Sequence, residues 1–352
     1  MKHGLMYYLS SAGIRKNIGD YIQSIAADQF MHATGLVERE HLNEYRGEKM
    51  KVILNGWFMH RPENFPPSND IVPLFISFHL RPCRAEEFLA ERTVAYLKAH
   101  GPIGCRDLNT KALLEARGIP AYFSNCLTLT LGRSFPSVPD EERHGVCFVD
   151  PMHCLRRRDA VRDLPWLLFH PILAVRVFAR MQRQAFKGES LVFRLRKFLM
   201  MGTFLRTYLT LFTGRLLAHA DYYTHAVRER LFKSEEDKFS YCRDMLRRYE
   251  TAKFCVTCRI HCALPCIAMG TPVVFVDARS KDMGNGRFGG TAELFNVAVL
   301  AGRRLVASFR YRSDSPDGRI DENAVIPASS AFEEYARRLV ETCERFAEER
   351  GK

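Results

Sequence analysis

The sequence predicts an α/β protein in two halves, each built on a parallel sheet, facing each other across a cleft, with a basic helical insertion in the second half. Three features carry that prediction. Residues 253–277 read as strand, tight junction, short helix and strand. Residues 105–124 repeat the same grammar in the first half. The formal net charge of +12 is not spread evenly but gathered in one segment.

In the first of these stretches, residues 253–257 are apolar and β-prone, and 271–277 form a strand of the buried kind. Pro265 is expected in a first helical turn, where its missing N–H costs nothing. Gly270 is placed to end that helix in the left-handed conformation. Arg259 and His261 therefore fall where a strand hands over to a helix. In open α/β sheets ligands bind at that carboxyl edge, and the helix N-terminus behind it favours anions. An arginine and a histidine there read as an anion site with a proton donor. Spacing alone favours a plainer reading, a hydrogen-bonded junction histidine; the neighbouring arginine argues for the site.

The second stretch sets Cys105-Arg106, a helix over 107–117 and Gly118-Ile119-Pro120 against Cys258-Arg259, a helix and Gly270-Thr271-Pro272. Strand–helix–Gly–Pro–strand is common in α/β proteins. Its sharper meaning is that each of two Rossmann-like domains offers one arginine at its carboxyl edge, and facing domains bring Arg106 and Arg259 into one cleft.

The remaining elements follow in order. Residues 4–9 read as a first strand; they lack the apolar core of a signal peptide. A helix is expected over 19–32, with Asp20 in its first turn, either capping the helix or complementing its dipole, or else accepting a substrate hydroxyl. Strands are expected at 50–56 and 71–78, the second ending at His79. The Pro-rich loop between them, with Trp57 and His60, either shapes a sugar pocket or simply connects. An amphipathic helix is expected over 86–100. Residues 145–150 open the second half, placing the boundary near 135–144. Strand 221–226 and helix 235–249 lead into the opening stretch. The Gly-rich loop 281–290 carries Arg287 and permits close backbone approach to a ligand, without being a P-loop. A strand at 305–309 and a last helix, with Phe332, Tyr335, Leu339, Cys343 and Phe346 on one face, end the chain. The expected units are 1–140, 141–330 and a terminal helix in 331–352.

Composition narrows the functional classes. The chain has 352 residues, 47% hydrophobic and 26% charged, enough for two domains with a real core. No stretch reaches the roughly 20 apolar residues of a membrane-spanning helix, which points to a cytoplasmic protein, soluble or peripheral. Residues 155–217 hold thirteen Lys/Arg against three Asp/Glu, a local surface that argues against a nucleic-acid binder. Arg176, Arg180, Arg183 and Lys187 recur on one helical face. Such a segment either lies on an anionic membrane or packs on its own domain with its arginines in water. Eleven cysteines show no disulfide-framework spacing. Cys255, Cys258, Cys262 and Cys266 suggest zinc only superficially, since a strand points Cys255 and Cys258 to opposite faces; no metal is expected.

Taken together, Asn17-x-Gly19-Asp20, Arg106-Asp107 opening a helix, and Arg259-Ile260-His261 closing on Gly270-Thr271-Pro272 resemble the polysaccharide pyruvyl transferase family. The resemblance runs from Gly4 to about Val299, apart from the basic insertion. It implies a fold similar to glycosyltransferases of the two-Rossmann, GT-B type. It implies transfer of the enolpyruvyl unit of phosphoenolpyruvate onto two sugar hydroxyls of a cell-surface polysaccharide precursor, giving a cyclic ketal, with no cofactor beyond the donor. Phosphoenolpyruvate needs fixed cations, which Arg259, Arg106 and Arg287 would supply. Its methylene carbon needs a general acid, the role expected of His261. Asp20 and His79 are the acceptor-side candidates, and the sugar is lipid-linked if the insertion sits at a membrane. No metal is required, because arginines provide the charge. Two other readings remain: a GT-B glycosyltransferase using a nucleotide sugar, and a membrane-peripheral scaffold with a degenerate cleft.

Overall fold

The computed structural model describes residues 1–9, 14–277 and 289–349. The strands before residue 125 are β1 (Lys2–Tyr7), β2 (Arg15–Asn17), β3 (Gly35–Glu38), β4 (Met50–Gly56), β5 (Ile71–Phe78), β6 (Ile103–Cys105) and β7 (Ala121–Phe123). All but β2 form a parallel sheet in the order β3-β1-β4-β5-β6-β7. The later strands are β8 (Val146–Val149), β9 (Asp221–Tyr223), β10 (Ala226–Arg228), β11 (Phe254–Thr257), β12 (Val273–Asp277), β13 (Asn296–Ala301) and β14 (Arg304–Ala307). Their sheet runs β9-β8-β11-β12-β13-β14, parallel except for the last pair.

The two sheets share one wiring. In each, the first strand pairs with the second on one side and the third on the other, and the order reverses between first and third. That reversal is where open α/β sheets form ligand crevices. It lies between β1 and β4 in one sheet and between β8 and β11 in the other. Helix Ile18–Met31 makes the first crossover of the first sheet. The whole basic insertion, between β8 and β9, occupies the corresponding crossover of the second.

Several features tie the halves together. Strand 221–226 does not continue as one strand. It breaks after Tyr223, and β10 leaves the sheet to pair antiparallel with β2, Val227 opposite Lys16. The break is at Thr224, whose hydroxyl is turned to Asp150. Helices Glu235–Glu250 and Ile260–Ala268, both from the second half, contribute Phe239, Leu246, Cys262 and Leu264 to the same buried cluster as Ile22, Val52 and Phe75 of the first. The last helix, Glu333–Glu348, also returns to that cluster through Leu339 and Cys343. A second cluster, with Phe148, Phe204 and Val256, fills the space between the second sheet and the insertion.

Element limits differ from expectation where local chemistry decides them. The helix expected over 86–100 is two, Pro82–Phe88 and Glu91–Ala99. Gly118 and Gly270 both end their helices with φ near +70°, as expected (66° and 71°). Pro265, however, lies inside helix Ile260–Ala268 rather than in its first turn. The helix starts at once after Arg259, so Pro265 falls where an N–H would reach the His261 carbonyl, and that carbonyl loses its helical partner.

Candidate active site

A cavity of about 450 Å³ opens where the carboxyl ends of the two sheets face each other. Asp20, Trp57, His79 and Arg106 line it from the first sheet, and His225, Arg259, His261 and Asp277 from the second. Arg106 and Arg259 thus share one cleft, as the repeated grammar implied. Arg287 lies outside the described residues.

Arg106 follows β6, its backbone N–H bonded to the Phe78 carbonyl at 2.9 Å. Its side chain is 5% exposed, and its Nε has no hydrogen-bond partner. Among the described residues no carboxylate pairs with it. Asp107, next in sequence, caps helix Leu108–Glu115 by accepting from the Thr110 N–H at 2.9 Å. Its other oxygen lies 2.7 Å from His79 Nδ1, with both groups buried. A carboxylate on Nδ1 fixes the ring's tautomer and orientation. Sequence reading identified Asp107 only as a helix start; its position one residue after Arg106, opposite the strand ending at His79, is the signal that could have found the pair.

Arg259 is held from its own side. Its Nε donates to Asp150 Oδ2 at 2.7 Å, and Nη2 lies 3.3 Å from His153 Nδ1. Asp150 ends β8 with φ of +53°, a left-handed conformation that aspartate tolerates better than most residues. It also accepts from the Thr224 hydroxyl at 2.6 Å and the His225 N–H at 3.1 Å. Burial would raise its carboxyl, but Arg259, His225 and the Thr224 hydroxyl outweigh it and hold the pKa below the ordinary aspartate value. Burial lowers the pKa of His225. Asp150 was read only as the end of a strand. The signal was its place, a carboxylate closing an apolar run at the carboxyl edge.

His261 sits in the first turn of its helix, 9% exposed, against the first turn of helix Ile18–Met31. A Cβ on Gly19 would stand 3.0 Å from His261 Nδ1 and 3.2 Å from its Cβ, so the glycine lets the two turns meet without displacing the imidazole by a few tenths of an ångström. Asn17, not Asp20, caps that helix, accepting from the Gly19 N–H at 3.2 Å. Asp20 faces the cleft and pairs with buried Arg39 at 3.6 Å. The motif Asn17-x-Gly19-Asp20 therefore supplies a cap, a seat for His261 and a cleft carboxylate. Trp57 carries the Pro-rich loop into the cleft wall, stacked on His60 at 5.0 Å.

A smaller cavity of about 150 Å³ adjoins the same Arg259. Arg15, Glu189, Phe193 and Lys197 line it, so the insertion's inner side closes one flank of the site. Beneath the site, Cys258 turns away from Cys255 toward the Asp150 carbonyl (3.7 Å), as strand alternation requires. The thiols of Cys255, Cys262 and Cys266 do converge, within 4.8 Å of one another and fully buried. Two lie one helical turn apart and the third on the strand below.

The family model for polysaccharide pyruvyl transferases matches residues 17–280, from the cap of the first helix through β12 and past both arginines. The chain belongs to that family. Membership makes this pyruvyl transferase an enzyme acting on polysaccharides. No curated protein matches the chain, and no solved structure matches it. The matched range includes Asn17, His79, Arg106, Asp107, Asp150, Arg259 and His261, so the transferase carries its whole described cleft inside the family region. No helix among the described residues is long and apolar enough to cross a membrane.

Proposed function

We propose that the enzyme takes phosphoenolpyruvate as donor and forms a cyclic pyruvyl ketal on two hydroxyls of a sugar in a cell-surface polysaccharide precursor. The observation that supports this donor is Arg106, a buried guanidinium in the cleft wall with no carboxylate partner among the described residues. A buried charge without a partner is costly, and an anionic substrate relieves that cost. Arg259 adds a second guanidinium, oriented by Asp150. A molecule with both phosphate and carboxylate uses the two together, and arginine binds either bidentately.

In this reading the halves stand as in GT-B glycosyltransferases, with 1–140 presenting the acceptor and 141–330 the donor. His261 gives a proton to the donor's methylene carbon as a sugar hydroxyl adds to C2. The C2–O bond to phosphate then breaks as the second hydroxyl adds. Two hydroxyl protons leave; one balance is kept at the new methyl group and the other on the released phosphate. His79, backed by Asp107, takes a hydroxyl proton. Asp20 and Trp57 hold the acceptor.

The test is incubation with phosphoenolpyruvate and a diol-bearing saccharide, following phosphate release and the methyl resonance of the ketal. Both are expected in equal amounts. Turnover of a nucleotide sugar in place of phosphoenolpyruvate would replace this reading with glycosyl transfer.

A further inference from the structure

Eighteen large hydrophobic residues are exposed among the described residues, and ten of them lie in residues 161–199. Leu168 (82% exposed) belongs to the short helix Pro165–Phe169, Ile172 and Val175 to helix Pro171–Arg183, and Leu191 (81%) and Leu195 to helix Leu191–Leu199. They are not a misplaced core. Helix Pro171–Arg183 already buries Ala174, Val177, Phe178 and Met181, while Phe193 and Lys197 of the second helix line the smaller cavity. The two helices pack together through Phe178 and Phe198, centroids 5.1 Å apart, and through Arg194 and Gln182. Their outer apolar residues are surplus to folding, and patches of that kind mark interaction sites.

The charges around this face have one sign. Arg162, Arg176, Arg183, Lys187 and Arg196 are exposed and make no ion pair among the described residues. The segment's buried acids are turned inward and taken: Asp163 by Arg206 and Arg303, Glu189 by Arg15 and Arg228. Arg180, read from spacing as part of the stripe, instead turns to Asp221 at 3.4 Å. The helix also ends at Arg183, so Lys187 is not on its face.

We propose that the outer face of residues 161–199 docks on an anionic lipid bilayer. Aliphatic side chains enter the headgroup boundary and the unpaired arginines meet lipid phosphates, the chemistry of interfacial amphipathic helices. The inner side of the same helices flanks the cavity beside Arg259, so docking holds the cleft close to the membrane.

Flotation of the full chain with phosphatidylcholine vesicles, with and without phosphatidylglycerol, tests this without any enzymatic readout. Binding is expected only to the anionic vesicles, and is expected to weaken as salt rises. Arg176→Gln with Arg183→Gln and Arg196→Gln is expected to weaken it by roughly tenfold or more. Leu191→Ser with Leu195→Ser is expected to abolish stable binding, whereas Arg180→Gln leaves it in place. Circular dichroism and melting confirm that the variants fold. Absence of binding to anionic vesicles, equal binding to neutral ones, binding indifferent to both sets of substitutions, or a dimer in sedimentation velocity that the leucine substitutions dissolve would overturn the proposal.

Discussion

Asp150 accepts a charge-assisted hydrogen bond from Arg259 at 2.7 Å. The pair sets the direction of the guanidinium that the second sheet offers to the cleft. Asp150→Asn keeps the volume and loses the charge-assisted bond. KM for phosphoenolpyruvate is expected to rise about tenfold, with a smaller change in kcat, as steady-state kinetics on both parameters will show.

Arg106 makes the opposite trade. No acidic partner faces it among the described residues, so removing it relieves the empty protein of a buried charge while depriving the donor of its ligand. Arg106→Gln is expected to raise KM for phosphoenolpyruvate by roughly tenfold to a hundredfold. In the absence of ligand it should melt no lower than the parent. Arg106→Lys is expected to recover little, since one ammonium cannot bind an anion bidentately. Paired kinetic and melting measurements on the same preparations separate these effects.

The two imidazoles should be distinguishable by kcat. His261→Ala is expected to lower ketal formation by roughly a hundredfold to ten-thousandfold, the range of a lost general acid. Asp107→Asn keeps a good helix cap but removes the charge behind His79, and is expected to lower kcat with little change in melting temperature. Gly19→Ala crowds His261 Nδ1 and should lower kcat in a protein that remains folded. Full turnover by His261→Ala would remove that residue from the chemistry.

Acid should destabilise the fold through two groups of the same sign. Asp150 has a depressed pKa when folded, so its contribution is present above the ordinary aspartate value and lost as pH falls through the folded one. His225 is also depressed. The unfolded chain takes up that proton below about pH 6.5 while the fold resists it. Melting temperature, as far as these groups set it, is therefore expected to be flat above about pH 7 and to decline on acidification. Asp150→Asn should remove the part of the decline at the lower end.

The carboxyl-edge positions of Arg106, Arg259 and His261 were legible because strand–helix junctions leave short-range marks: an apolar run, a cap, and a glycine at the helix end. The wiring of the sheets was partly legible for the same reason. What stayed hidden depends on contacts between distant segments. Nothing local says that β10 leaves its sheet for β2, since Thr224 breaks the strand by answering Asp150. The seating of His261 on Gly19 joins residues more than two hundred positions apart. Pro265 was misplaced by half a turn because the helix starts directly after Arg259, which depends on tertiary packing. The insertion's composition showed a basic, apolar segment. Only burial separated Val177 and Phe178, which face inward, from Ile172 and Val175, which do not.

Thermal melting with each donor tests the central claim most directly, because a ligand that binds only the folded enzyme raises its melting temperature by mass action. Phosphoenolpyruvate is expected to raise it, with the rise lost in Arg106→Gln, and nucleotide diphosphate sugars are expected to leave it unchanged. Stabilisation by a nucleotide diphosphate sugar, with none from phosphoenolpyruvate, would contradict the account.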